Sequence, residues 1–245
     1  MSSVSEADFQ NQQGEPILSV VATLYNEEEN IRPLAENLIS AFREKLSATT
    51  YEVVLVLNGP EDSTPEIAEE LAAQFPEIVL VKLKDNQGFG GGLLAGLRAA
   101  RGQIIGFIDG DEQILAADVA KIFSIALTDQ HDVVKAVRVK RHDGIQRLIV
   151  TTSYNILFGI MFGTKHKDIN GKPKVFKRKI LEALNLQSTD WFLDGEFMIK
   201  AKRQGLSVLE VPVVFQQRKR GSSNVRSSTV IEFFKNMLEY SRGKN

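Results

Sequence analysis

The chain has no cysteine, which excludes a disulfide framework and thiolate metal sites. Histidine is scarce. His131, His142 and His166 are far apart and do not indicate a zinc cluster. Neither sign of charge is in excess: 30 Lys and Arg stand against 31 Asp and Glu, so nothing global points to nucleic acid. No run reaches the ~18 uninterrupted apolar residues of a membrane span. Residues 1–16 are polar and lack the apolar centre of a signal peptide, so a disordered leader is expected there. There is no internal repeat and no linker that would divide the chain. Its 245 residues can bury a substantial core. A soluble, cytoplasmic body is expected, with contact to a membrane surface left open.

The rest of the chain is organised around residues 102–113. Residues 104–108 read as a short apolar strand that stops on Asp109. Gly110 and Asp111 continue into a turn, and Gln113 lies two residues on. At the C-terminal end of a strand in an open α/β sheet, side chains can face the ligand crevice. Asp109, Asp111 and the amide oxygen of Gln113 offer hard oxygen ligands to Mg²⁺ or Mn²⁺. For these residues alone, an ordinary Asp-Gly turn is the competing explanation.

Around this stretch, apolar runs and helical periods alternate. Residues 17–24, 52–57 and 78–83 read as buried strands. Between them, Ile31, Leu34, Leu38, Ile39 and Phe42 mark one amphipathic helix, and Ile67, Leu71 and Phe75 another. Asn30 is expected to cap the first helix, and Ser63 or Thr64, with Glu66, the second. A glycine-rich stretch, 88–92, leads into a helix expected over 93–100. Short strand–helix spacing implies right-handed βαβ units and a parallel sheet. Further on, helices are expected at 118–127, 147–163, 177–184, 193–203 and 230–240, with strands at 132–139 and 208–215 and a loop with a short strand at 168–176. Gly205 ends one helix, and Thr229 with Glu232 caps the last. The segment 156–162 is apolar on nearly all sides, which means burial or contact with lipid. The last helix, with Arg242 and Lys244 behind it, also has the pattern of a helix lying on an anionic bilayer.

Three further clusters carry candidate chemistry. Gly88–Gly92 offers backbone N–H groups to a phosphate, or close packing of a helix on the sheet; its spacing is neither a P-loop nor GxGxxG. Asp194 and Glu196 suit the first turn of a helix, or Asp194 serves as a base beside the apolar Trp191-Phe192-Leu193. Arg218, Lys219, Arg220 and Arg226 form a solvated basic loop or a phosphate clamp.

Taken together, these pieces resemble the family 2 glycosyltransferases of the GT-A fold. The pieces are Tyr-Asn-Glu-Glu-Glu-Asn after the first strand, Asn-x-Gly-Phe-Gly-Gly, Asp-Gly-Asp-Glu-Gln, Asp168-Ile-Asn-Gly-Lys-Pro-Lys-Val-Phe, Asp-Gly-Glu and Glu210-Val-Pro-Val. Their order and spacing cover nearly all of residues 17–226. Within that family, residues 168–176 and 218–223 are similar to polyprenyl-phosphate sugar transferases of the dolichyl-phosphate mannose synthase type. The resemblance implies a mostly parallel sheet flanked by helices, with a nucleotide-binding half over 17–113 and an acceptor half over 114–245. It implies inverting transfer of a sugar from a GDP- or UDP-sugar, with Mg²⁺ or Mn²⁺ as cofactor, to a polyprenyl phosphate or another glycan acceptor.

It also implies roles. Asp109, Asp111 and Gln113 match the metal and diphosphate motif. Leu24, Tyr25, Asn26, Glu27, Asn58, Asn86, Gly88 and Gly110 fall on the nucleotide-sugar edge. Asp194 matches the acidic position near the acceptor, as base or orienter, and with Asp111 is an expected catalytic carboxylate. Asp168, Asn170, Lys174, Arg218, Arg220 and Ser222 fall on the phosphate and acceptor segments. Two departures stand out. Leu57-Asn58-Gly59-Pro60 replaces the usual Asp-Asp-Gly-Ser, leaving Asn58 able to hydrogen-bond a base but without charge. Lys172-Pro173 replaces the usual Phe-Arg or Phe-Lys. A nucleotidyltransferase would carry a basic, glycine-rich loop after the first strand, where Tyr25-Asn26-Glu27-Glu28-Glu29 is acidic. A binding protein that kept the fold would fit the altered Asn58 turn, but not the intact Asp109/Asp111/Gln113 set. A saccharide hydroxyl as acceptor and a homodimer are left open.

Overall fold

Strand and helix alternate through the first half: β1 (Leu18–Leu24), α1 (Ile31–Lys45), β2 (Tyr51–Asn58), α2 (Thr64–Gln74), β3 (Ile78–Leu83), α3 (Gly88–Ala99) and β4 (Ile104–Asp109). The second half is less regular: α4 (Ala116–Ala126), β5 (Val133–Arg141), α5 (Ile145–Phe162), β6 (Lys174–Lys177), α6 (Arg178–Leu184), α7 (Leu193–Arg203), β7 (Val208–Phe215) and α8 (Ser227–Ser241). The computed structural model describes residues 14–128, 130–141, 145–218, 220 and 227–241. Helix α8 begins at Ser227, three residues before the expected start, so Thr229 and Glu232 lie within the helix and Thr229 is not its cap. The basic residues Lys219, Arg226, Arg242 and Lys244, and most of the expected leader, lie outside the described residues.

All seven strands share one sheet, in the order β3-β2-β1-β4-β6-β5-β7. Only β6 runs antiparallel to its neighbours, β4 and β5. Period-two alternation divides the core. Val20, Ala22 and Leu24 of β1 and Val53, Leu55 and Leu57 of β2 pack with α1, α2 and α4. Val21, Val54 and Val56 pack on the other side with α3, in the core that α5–α8 complete. β1 lies between β2 and β4, so the chain leaves in opposite directions from the sheet centre. Such a switch point places the crevice at the C-terminal ends of β1 and β4, where Thr23 pairs in register with Asp109.

The glycine stretch does not precede a helix, as expected, but forms the first turns of α3. It packs closely: the Gly91 N–H donates to the Thr189 carbonyl at 2.9 Å. Further along α3, a Cβ on Gly96 would stand 2.5 Å from Val21 Cγ1 and Val56 Cγ2. Gly96→Ala is therefore expected to destabilise the fold by about 1–3 kcal/mol. An unchanged denaturation midpoint would contradict this packing.

The expected side-chain caps are absent from α1 and α2. Asn30 instead donates to Glu27 Oε2 at 2.6 Å. The Thr64 hydroxyl accepts the Glu27 N–H at 2.9 Å and donates to Asp62 Oδ1 at 2.5 Å. Both side chains hold the loop after β1, a tertiary demand that outranks capping.

Candidate active site

β4 delivers Asp109 to the crevice, and the chain turns at once through Gly110 and Asp111. Glu112 sits at φ +56, in the left-handed region, and this sharp turn brings the Gln113 N–H to Asp111 Oδ1 at 3.2 Å. Gln113 is buried. Its Nε2 donates to the Gln216 carbonyl at 2.8 Å, which ties the turn to the segment after β7. The carboxylates of Asp109 and Asp111 remain partly exposed, at 31% and 19%. Burial, with the charge of Asp109 beside it, pushes Asp111 up to about 6.

The residues after Asp168 bring two lysines beneath this turn. Lys172 Nζ donates to Asp109 Oδ1 at 2.8 Å and lies 3.1 Å from Asp194 Oδ2. It also stands 4.5 Å from the centre of the Phe89 ring, which stacks on Trp191. Lys174, fully buried on β6, donates to Asp194 Oδ1. Burial opposes the charge on Lys172, but Asp109 and Asp194 outweigh it and hold the ammonium above the ordinary lysine range. Burial lowers Lys174 to about 8. Asp194 is held below its usual range because Lys172 and Lys174 outweigh its burial. It does not sit at the edge of an apolar wall, as its sequence neighbours implied; it is 3% exposed, with lysine on both oxygens.

A second buried cluster supports the first. Arg138 on β5 forms a fork on Asp168, with both contacts at 2.7 Å. Lys135, also on β5 and fully buried, bonds the carbonyl of Ala136 at 3.1 Å and Glu210 Oε1 at 3.2 Å. Asn170 leaves its Oδ1 buried without a hydrogen-bond partner.

On the nucleotide edge, Glu27 is buried, and both its oxygens accept Arg218 Nη2, at 2.8 and 2.7 Å. Arg218 Nη1 lies 4.0 Å from Asp111, and Arg220 lies 3.5 Å from Glu112. The structure thus brings Glu27, Asp111, Arg218 and Arg220 together. Asn26, at φ +54, accepts the Glu61 N–H at 2.8 Å. Tyr25 is half-buried, and Leu24 is buried in the core with its side chain against Gly110. Asn58 is only 2% exposed. Its amide bonds Asn86 Oδ1, the Gly88 carbonyl and the Gln87 N–H at 3.0–3.2 Å, pinning the start of α3. Asn86 and Gly88 are exposed, Gly110 is buried, and Ser222 lies outside the described residues.

The donor chemistry fits a divalent cation. Asp109 and Asp111 crowd two hard carboxylates at one strand end, and a dication would relieve the repulsion that raises Asp111. The Thr23 hydroxyl, paired in register with Asp109, is buried without a partner. Among the described residues, no group of three or more His, Asp or Glu forms a complete cage, so ligand oxygens would have to fill the coordination shell.

Sequence reasoning missed Lys135, Arg138 and Lys172 as site residues. Lys135 left a signal: it interrupts the apolar run Val133, Val134, Ala136 and Val137. Lys172 left only the sequence Lys-Pro-Lys, and its partner Asp109 is 63 residues away.

The profile of Glycosyl transferase family 2 matches residues 19–184. The chain is 27% identical to a dolichol-phosphate mannosyltransferase of Pyrococcus furiosus, over 90% of this chain and 62% of that protein. It is also 27% identical to an undecaprenyl-phosphate 4-deoxy-4-formamido-L-arabinose transferase of Pectobacterium carotovorum, over 90% of this chain and 66% of that one. The chain spans 33–66% of the length of the curated relatives it matches first. Among solved structures, glucosyl-3-phosphoglycerate synthase of Mycobacterium tuberculosis, crystallised with Mn²⁺, UDP and glucosyl-3-phosphoglycerate, superposes with a TM-score of 0.71 at 19% identity, covering 94% of this chain and 81% of that one. The sheet order, the flanking helices and this likeness establish the GT-A fold. On the match across residues 19–184, the chain belongs to glycosyl transferase family 2.

Proposed function

We propose that the chain is an inverting, metal-dependent glycosyltransferase that moves a sugar from a GDP- or UDP-sugar to a polyprenyl phosphate. One observation carries this reading. A continuous run of contacts joins Asp109, Lys172, Asp194 and Lys174, and so sets the carboxylates at the strand end beside Lys172, a cation at the crevice for a second anion. The names of the two relatives, a dolichol-phosphate and an undecaprenyl-phosphate transferase, support the acceptor. The Mn²⁺ and UDP in the superposed structure support the donor and the cofactor.

In this reading a phosphate oxygen of the acceptor attacks the anomeric carbon from the face opposite the diphosphate. The new C–O bond forms as the bond to the diphosphate oxygen breaks, the electron pair leaves with the nucleoside diphosphate, and the configuration inverts. An acceptor phosphate is already anionic near neutral pH, so no proton has to be removed. Asp194, with lysine on both oxygens, positions Lys172 and Lys174 rather than acting as a base. Asp168 does the same for Arg138. Arg218 and Arg220 are assigned to phosphate oxygens, with Ser222 beside them, and Asp109, Asp111 and Gln113 to the metal. Mg²⁺ or Mn²⁺ bound there would neutralise charge on the leaving diphosphate. A thermal-shift panel of GDP-, UDP- and dTDP-sugars, with Mn²⁺ and with chelator, tests the donor. Stabilisation by a GDP- or UDP-sugar that weakens on chelation is expected; no shift with any of them would count against the reading.

In this reading the protein works at a membrane surface, on the cytoplasmic side, where a lipid-phosphate acceptor would be met. Among the described residues, no helix is long and apolar enough to cross a membrane. The apolar segment of α5 divides between the two expectations held for it. Phe158 is fully buried, whereas Ile156 and Ile160, with Ile149 on the same stripe, are 59%, 76% and 60% exposed. Leu238 on α8 is also exposed. Co-flotation with anionic liposomes at low salt is expected, and lost in Ile156→Glu/Ile160→Glu. Failure of the wild type to float would contradict the membrane reading.

A further inference from the structure

We propose that Lys172 is a built-in counter-cation at Asp109, which competes with the divalent metal for that carboxylate and gives the protein a metal-free hold on the nucleoside diphosphate. This rests on the reading that Asp109 and Asp111 serve metal and diphosphate.

The geometry is specific. Among the described residues, Lys172 is the cation in contact with Asp109, at 2.8 Å. Arg218 and Arg220 stand on Glu27 and Glu112, and Lys174 is fully buried against Asp194. Lys172 is itself only 7% exposed. It is held between Asp109, Asp194 and the face of Phe89, a charge placed at the strand end rather than on the open surface. Asp109, in contrast, is 31% exposed, with its free side toward the crevice.

A dication on Asp109 would face this ammonium across a single oxygen, and like charges so placed repel strongly. Metal alone should therefore bind weakly. A diphosphate reverses the balance. It brings enough negative charge for both cations, so the ammonium can turn from Asp109 to a phosphate oxygen while the metal takes the carboxylate. The same ammonium that repels metal alone attracts a diphosphate when metal is absent, because the charges are then opposite.

Calorimetry on wild type, Lys172→Met and Lys172→Arg tests this, titrating Mn²⁺ alone and then UDP or GDP with chelator present. Methionine keeps the stem against Phe89 and removes the charge. The Met variant is expected to bind Mn²⁺ alone about 10-fold more tightly, and to bind the metal-free nucleotide about 10-fold more weakly. The Arg variant should stay near wild type in both. If the Met variant is unstable, Lys172→Gln supplies the same comparison. Absence of either effect in the uncharged variant overturns the proposal. A wild type that binds no nucleoside diphosphate even with Mn²⁺ sinks the diphosphate reading itself; the Mn²⁺-only titration then still decides whether Lys172 competes with the metal.

Discussion

Asp111→Ala is expected to abolish the Mn²⁺-dependent part of nucleotide-sugar binding and to leave the fold intact. Lys172 already holds one oxygen of Asp109, so the metal depends heavily on the second carboxylate of the turn. Changing a residue merely behind a metal ligand costs ~10–100-fold. Loss of the ligand itself should cost ~100-fold or more and leave only the metal-free affinity. The fold should not suffer, because Asp111 is an unfavourably placed charge whose carboxyl is pushed up to about 6 by burial and by Asp109. The folded protein loses one hydrogen bond to it, from the Gln113 N–H. Unchanged metal-dependent affinity in this variant would contradict the site assignment.

The second large effect is at Asp194, where stability and rate should separate. Asp194→Ala leaves Lys174 fully buried without its carboxylate. Breaking such a pair costs ~3–5 kcal/mol, a fall in melting temperature on the order of 6–20 °C for a chain of this size. Asp194→Asn preserves shape and part of the hydrogen bonding, so it isolates the chemical role. If Asp194 took a proton from a hydroxyl acceptor, the Asn variant would lose ~10²–10⁴-fold in rate. With a phosphate acceptor no proton moves, so a smaller loss is expected, nearly flat with pH from neutral upward. A pH–rate profile of both proteins, with polyprenyl phosphate and a sugar alcohol as rival acceptors, decides it. Turnover only with the hydroxyl, lost in the Asn variant, would overturn the acceptor assignment and leave the family untouched.

How much of this was legible follows from what sets each feature. The strands of the first half, and β7 in the second, could be read because their apolar runs are local and bounded by turn residues; residues 78–83 and 208–215 match β3 and β7. The short strand expected within 168–176 is β6, but its position in the sheet was not legible. It has four residues, two of them lysine, and only its pairing with β4 and β5 makes it a strand between them. The Asp109-Gly110-Asp111 turn was legible because a strand ending on carboxylates is a local pattern. Its surroundings were not, because ion pairs join residues far apart in sequence: Arg218 and Glu27 are 191 positions apart. Asn58 shows the other limit. Its residue type suits a nucleobase, yet in the structure its amide holds the start of α3. Residue type supplies a capacity for hydrogen bonding, and tertiary neighbours decide where it goes.

Sugar transfer to a lipid phosphate is measured directly by product analysis. The protein would be incubated with Mn²⁺, radiolabelled GDP- or UDP-sugar and polyprenyl phosphate in detergent, and the anomeric configuration of the extracted lipid determined by NMR. A lipid-linked sugar phosphate whose anomeric configuration is opposite to that of the donor is expected. A lipid product with retained configuration, or no lipid product while the same donor is turned over onto a saccharide hydroxyl, would contradict the proposed transfer.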